Sequence, residues 1–177
     1  MSWKFGGIYF KANFENQIDR IFKKVNCNWT NTGRFIRFSD ALKVDFLKAA
    51  VGYLNDITIV QNNFLIYDCS FEEHNLYHFD KSLIHLSLET DILCFGIDEI
   101  SDTLLYSLYK NGTLKMRKSV VSGKLVLYET DGIISCRSDE NNKKDNLDEL
   151  ATLLFQFAGF RLNDLLLNDN FMLEVYI

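Results

Sequence analysis

The chain has 177 residues, 47% hydrophobic and 24% charged, with a net charge of −5 and no proline. That length and balance suit one domain with a core of its own, and exclude a disordered chain or one that needs disulfide or metal staples. The charge argues against general nucleic-acid binding, whose affinity comes from clustered cations.

Residues Met1–Gly7 carry no apolar leader, and no run approaches the roughly 18 apolar residues of a membrane span. The expectation is a cytoplasmic protein without a membrane partner. Cys27, Cys69, Cys94 and Cys136 form no close pair, so they read as reduced thiols rather than zinc ligands.

In chain order, Gly6-Gly7 reads as an entry turn and Gly7–Ala12 as a strand. Asn13 or Asn16 is placed to cap a helix ending near Val25, whose Ile18, Ile21, Phe22 and Val25 share one face. A polar loop follows over Asn26–Gly33, and Arg34–Phe38 alternates as a short strand. Residues 40–54 fit two patterns. Leu42, Phe46, Leu47 and Ala50 suit a helix; Ala49–Leu54 and Ile57–Val60 suit a hairpin turning on Asn55-Asp56. Gly52 weakens a helix by about 1 kcal/mol relative to Ala, which favours the hairpin.

A second helix is expected over residues 72–89, with Leu76, Phe79, Leu83 and Leu86 on one face. Ile92–Ile97 is a continuous apolar run of strand length, as in a strand buried on both faces. Thr103–Tyr109 and Thr113–Val120 flank Asn111-Gly112, a pair that supplies both positive φ angles of a type I′ turn. In the second arm Leu114, Met116 and Val120 are assigned to the core, Lys115 and Arg117 to water. Ser122-Gly123 turns the chain into a strand from Lys124. Residues 138–146 hold no apolar side chain and read as a mobile surface loop. Asp145 or Asn146 then caps a helix over Leu147–Phe157, ended by Gly159, with a short turn at Asn163–Leu167. Phe171–Ile177 closes as a strand expected beside the first. The fold class is α+β: a single domain, residues 1–177, with a mostly antiparallel sheet and helices packed on a face.

Charge is uneven. Residues 1–50 carry nine basic and four acidic side chains; residues 51–100 carry one basic and nine acidic. The middle third therefore reads as a concentrated negative field that steers a basic partner. Reaction machinery is not apparent. His74 and His78 have i, i+4 spacing, but Asn75 follows His74 where a zinc protease has its glutamate, and His85 brings no further ligand. There is no nucleophile elbow and no phosphate-binding glycine loop. Arg34, Phe35, Arg37 and Phe38 interleave cations with aromatics, against which the overall acidity weighs. No catalytic residue, metal or cofactor is assigned.

One stretch resembles a family. From Ile57 to Arg117 the chain has a strand-turn-strand start, a buried strand ending in the acidic, serine-containing loop Asp98–Asp102, and a hairpin with Tyr106 and Tyr109 before Asn111-Gly112 and Arg117 after it. This resembles small bacterial immunity proteins of polymorphic or contact-delivered toxin systems. The resemblance implies a non-catalytic protein that neutralises a cognate toxin, possible targets including a basic nuclease, by direct binding. The partner-binding residues expected on that reading are Glu72, Glu73, Asp98, Glu99 and Asp102, with Tyr106 and Tyr109 as aromatic anchors. The alternatives are a small-ligand-binding or enzymatic α+β domain, and a subunit that self-associates through its terminal strand.

Overall fold

The computed structural model describes residues 4–42, 49–62, 73–135 and 143–177, with the backbone alone at 73–78, 135 and 143–145. Among them ten strands form one antiparallel sheet and five helices accompany it. The strands are β1 (Lys4–Phe10), β2 (Asn31–Arg37), β3 (Ala49–Leu54), β4 (Ile57–Gln61), β5 (Ile92–Asp98), β6 (Thr103–Lys110), β7 (Thr113–Val121), β8 (Lys124–Thr130), β9 (Ile133–Ser135) and β10 (Met172–Tyr176). The helices are α1 (Ile18–Lys24), α2 (Phe38–Ala41), α3 (Glu73–Leu86), α4 (Lys143–Ala158) and α5 (Leu162–Leu166). The sheet order is β2-β10-β3-β4-β1-β5-β6-β7-β8-β9. The chain is α+β, as expected, and residues 49–61 form the hairpin, with Asn55 at φ 53°.

The helices cover both faces of the sheet, not one. On one face Phe5, Tyr9, Phe95, Leu104 and Tyr106 pack against Leu150, Leu154 and Phe157 of α4 and Leu165 of α5. On the other, Ile8, Phe10, Ile92, Leu105 and Tyr109 pack against Ile18, Ile21 and Phe22 of α1 and Leu83 and Leu86 of α3. The continuous apolar run of β5 has its cause here: both of its faces are covered.

Gly6-Gly7 is not an entry turn. Both residues lie inside β1, which is squeezed between β4 and β5. A Cβ on Gly7 would stand 2.7 Å from the Val60 carbonyl oxygen, so the backbones approach more closely than a side chain allows. Because β1 is flanked on both sides, it has no edge for the terminal strand. β10 instead fills the gap between β2 and β3, pairing Glu174 with Phe35 on one side and Val51 on the other.

The first helix starts later than its asparagines suggest. Asn13 accepts a hydrogen bond from the Glu15 amide and so shapes a turn, while the Phe14 amide donates to Thr58 Oγ1. The expected strand Arg34–Phe38 starts earlier, at Asn31, and its last residue, Phe38, opens one helical turn over Phe38–Ala41. At the other end α4 begins at Lys143, so residues 143–146 are helix rather than loop; residues 138–142 lie outside the described residues. Hydrophobic periodicity marks only turns with an apolar buried face, and among the described side chains of this first turn the buried one is Asn146.

The Asn111-Gly112 turn forms with φ angles of 50° and 71°. Its second arm differs from the expected alternation. Leu108 pairs with Met116 and Tyr109 with Leu114, so Lys115 is an extra residue, and Leu114 and Met116 point to opposite faces. With both faces covered, Arg117 then faces α3 rather than water.

Candidate functional site

β7 meets the two covering helices at consecutive residues. On one face Arg117 Nη2 donates to Asp80 of α3 at 2.5 Å and to the Tyr109 hydroxyl at 3.0 Å, and its Nε donates to Ser107 Oγ at 3.0 Å. The Tyr109 hydroxyl in turn donates to Asp80 at 2.5 Å. On the opposite face Lys118 Nζ donates to Glu149 of α4 at 2.5 Å, and the Tyr106 hydroxyl donates to the same carboxylate. Each helix thus lends one carboxylate, shared between a tyrosine of β6 and a cation of β7. Burial pushes both phenols well above the usual tyrosine range, with the neighbouring carboxylates adding to it. Both remain hydrogen-bond donors at neutral pH.

This geometry corrects the anchor assignment. Tyr106 and Tyr109 are 2% and 1% exposed and spend their hydroxyls inside the fold, so neither offers a ring to a partner. Their sequence spacing gave no warning, because an aromatic beside a hairpin turn reads the same whether a helix covers it or not.

The acidic loop has a different form. Asp98 ends β5 and is buried. Its Oδ1 accepts from the amides of Ile100 at 2.9 Å and Ser101 at 3.4 Å, and its Oδ2 meets Lys4 Nζ at 3.4 Å. Burial raises the Asp98 carboxyl, but the two amides and the lysine outweigh it and hold the group below the usual carboxylate range. Asp102 takes a φ of 47° and accepts the Gly123 amide on its carbonyl at 2.9 Å, tying the loop to the β7–β8 turn. Asp98 and Asp102 therefore shape the loop, while Glu99, Ile100 and Ser101 stand outward on it. Ile100 is 70% exposed. Of the other two acids expected here, Glu72 lies outside the described residues and Glu73 is the first residue of α3, with its backbone alone described. The same holds for the backbones of His74 and His78; Cys69 and Cys136 lie outside the described residues.

Four of the described acids of the middle third pair with cations from elsewhere in the chain. Asp80 pairs with Arg117, Glu89 with Arg20 and Lys24, Asp91 with Lys110, and Asp98 with Lys4. Every one of those cations comes from outside residues 51–100, three of them from the basic first third.

A cavity of about 170 Å³ opens between α3 and β6–β8, beside the Arg117–Asp80 pair, and Phe79, Leu105, Leu127 and Ser119 are in its wall. Cys94, a buried cysteine outside any disulfide, also lines it. Cys27 is a free half-buried thiol pushed up to about 11 by burial. Among the described residues no three His, Cys, Asp or Glu side chains gather as metal ligands, and no helix is long and apolar enough to cross a membrane.

Comparison with protein-family models, with curated proteins and with solved structures gave no match.

Proposed function

We propose that the protein is a cytoplasmic immunity-type protein, a non-catalytic binder that neutralises a cognate bacterial toxin by direct contact, and that the Glu99–Ser101 loop carries the contact. The observation behind this reading is the loop itself. Ile100 projects at 70% exposure between Glu99 and Ser101, on a backbone tied down by Asp98 and by the Asp102–Gly123 bond. A contact loop already held in one shape loses little conformational entropy on binding. An apolar residue ringed by polar ones is the pattern of a small anchor with a hydrated rim. Glu99 supplies the negative charge that a basic toxin such as a nuclease would meet.

The experiment is a reconstitution. The purified chain is mixed in equal amount with the toxin domain encoded by the adjacent gene, and the mixture is followed by size-exclusion chromatography and by toxin activity. A 1:1 complex with loss of toxin activity supports the reading, and Ile100→Asp is then expected to weaken the complex at least tenfold, on the order of 1.4 kcal/mol. Separate elution with undiminished toxin activity discards it.

A further inference from the structure

The cavity beside Arg117 supports an inference independent of the protein-binding reading. Phe79 from α3, Leu105 from β6 and Leu127 from β8 give it apolar walls. Ser119 forms part of the lining and half-exposed Val126 stands at the β8 side, where the extra residue of the β7–β8 pairing bulges out. Arg117 is fixed in place by Ser107, Asp80 and Tyr109, through Nε and Nη2. Among the described residues its Nη1 makes no hydrogen bond to the protein, so a rigid, pre-positioned donor remains next to apolar walls.

Size and charge narrow the occupant. A dry apolar cavity of about 150 Å³ takes one benzene, so about 170 Å³ takes a ring and a small substituent. The Arg117 charge is already balanced by Asp80, and Glu129 stands opposite Arg117 across the β7–β8 ladder on the same face. An added anion meets Asp80; an added cation meets Arg117. A neutral acceptor satisfies Nη1 without leaving a charge unbalanced. We propose that this cavity binds a small uncharged aromatic molecule with one carbonyl acceptor, its ring against Phe79, Leu105 and Leu127 and its oxygen on Arg117 Nη1. Such a molecule keeps the hydrogen bond that water would make there and removes water from the apolar walls, the division of labour found in small-molecule sites.

The test uses benzamide as the probe and the full chain, isotope-labelled, in an NMR titration. A probe of that size reaches a dissociation constant on the order of 1 mM. Saturable shifts at the amides of Ser107, Ser119 and Leu127, with contacts from the ring protons to the methyls of Leu105 and Leu127, are expected. Benzoate and benzamidine, of the same shape but charged, are expected to bind at least tenfold more weakly. Ser119→Leu, which fills the cavity, is expected to abolish the shifts while the far-ultraviolet circular dichroism is kept. The ring-to-methyl contacts keep the proposal testable if that variant does not fold. No such contacts at about 10 mM benzamide, well above the expected dissociation constant, would overturn it, as would benzoate or benzamidine binding as tightly as benzamide.

Discussion

Asp80→Leu is the sharpest perturbation the structure offers. Asp80 receives two short hydrogen bonds, from Arg117 and from Tyr109, and the Arg117 and Asp80 side chains are only 13% and 19% exposed. Removing the carboxylate leaves a guanidinium held by Ser107 and the Tyr109 oxygen, and a buried phenol with no acceptor. A hydrogen bond to a charged group is worth about 1.5–3 kcal/mol, and breaking a buried pair from one side costs about 3–5 kcal/mol. Some solvent reaches both groups, so the expected loss is about 3 kcal/mol. The double change Asp80→Leu with Arg117→Met removes the orphan charge and is expected to cost about 1 kcal/mol, less than the single. The pair on the other sheet face is an independent test. Glu149 itself is 41% exposed, but Glu149→Leu strands the Lys118 ammonium, 10% exposed, and the Tyr106 phenol, 2% exposed, so its loss is also expected to reach about 3 kcal/mol. Urea denaturation at neutral pH reads all three. With a slope of about 2 kcal/mol per molar, the Asp80 single shifts the midpoint by about 1.5 M. A Glu149→Leu loss below about 1 kcal/mol, or a double change costing at least as much as Asp80→Leu alone, refutes the reasoning that the buried group left behind sets the cost.

Gly52→Ala places a Cβ 2.1 Å from Leu173 Cδ2 and 2.9 Å from Phe171 Cζ, so a loss of about 2 kcal/mol is expected, seen as a fall of about 5 °C in a thermal melt. Asp98 holds its proton less tightly in the folded chain than in the unfolded one. Its contribution is therefore full above the unfolded value, about 3.9, and drains as pH falls through the folded value. The stability gap between the native chain and Asp98→Asn is expected to shrink from about pH 5 downward, and a gap constant across acid urea titrations contradicts this. Ile100→Asp is expected to leave the unfolding free energy from urea titration within about 0.5 kcal/mol of native, since its side chain is mostly in water; a larger loss places Ile100 in the fold rather than on a contact surface.

Much of the fold can be read from local chemistry. Asn111-Gly112 forms its turn because few residue pairs tolerate two positive φ angles, and Ile92–Ile97 is buried on both faces because it is apolar without alternation. Asp131-Gly132 carries the same signal, with φ angles of 47° and 80°, and leads into β9, although few apolar residues follow it to mark the strand. What local chemistry lacks is the phase of each strand after a bulge. Lys115 and Val126 are extra residues in their ladders, and each reverses which side chains face which helix. Arg117 was assigned to water for that reason. The candidate loop was legible in Asp98, Glu99 and Asp102, because acidic residues at a strand end form turns as readily as contacts. Ile100 was passed over, since an apolar residue within a charged loop has no periodic partner to mark it.

The charge pattern along the chain and the charge pattern over the surface answer different questions. Arg117 and Lys118 are adjacent in sequence, so a strand sends them to opposite faces, where one meets Asp80 of α3 and the other Glu149 of α4. The two helices flank the middle of the sequence from either side, yet both are tied to one point of one strand. Glu89 reaches back in the same way to Arg20 and Lys24 on α1, and Asp98 to Lys4 on β1. An acidic segment beside a basic one in sequence thus works first as an assembly code: it favours the docking in which opposite charges meet and disfavours those in which like charges do. Acids drawn into such pairs add less to a field that a partner meets, and Glu99 stands exposed on its loop beside an exposed apolar residue. If the protein binds a basic partner, the salt dependence of that binding therefore follows a few exposed charges, not the eight-unit excess of residues 51–100.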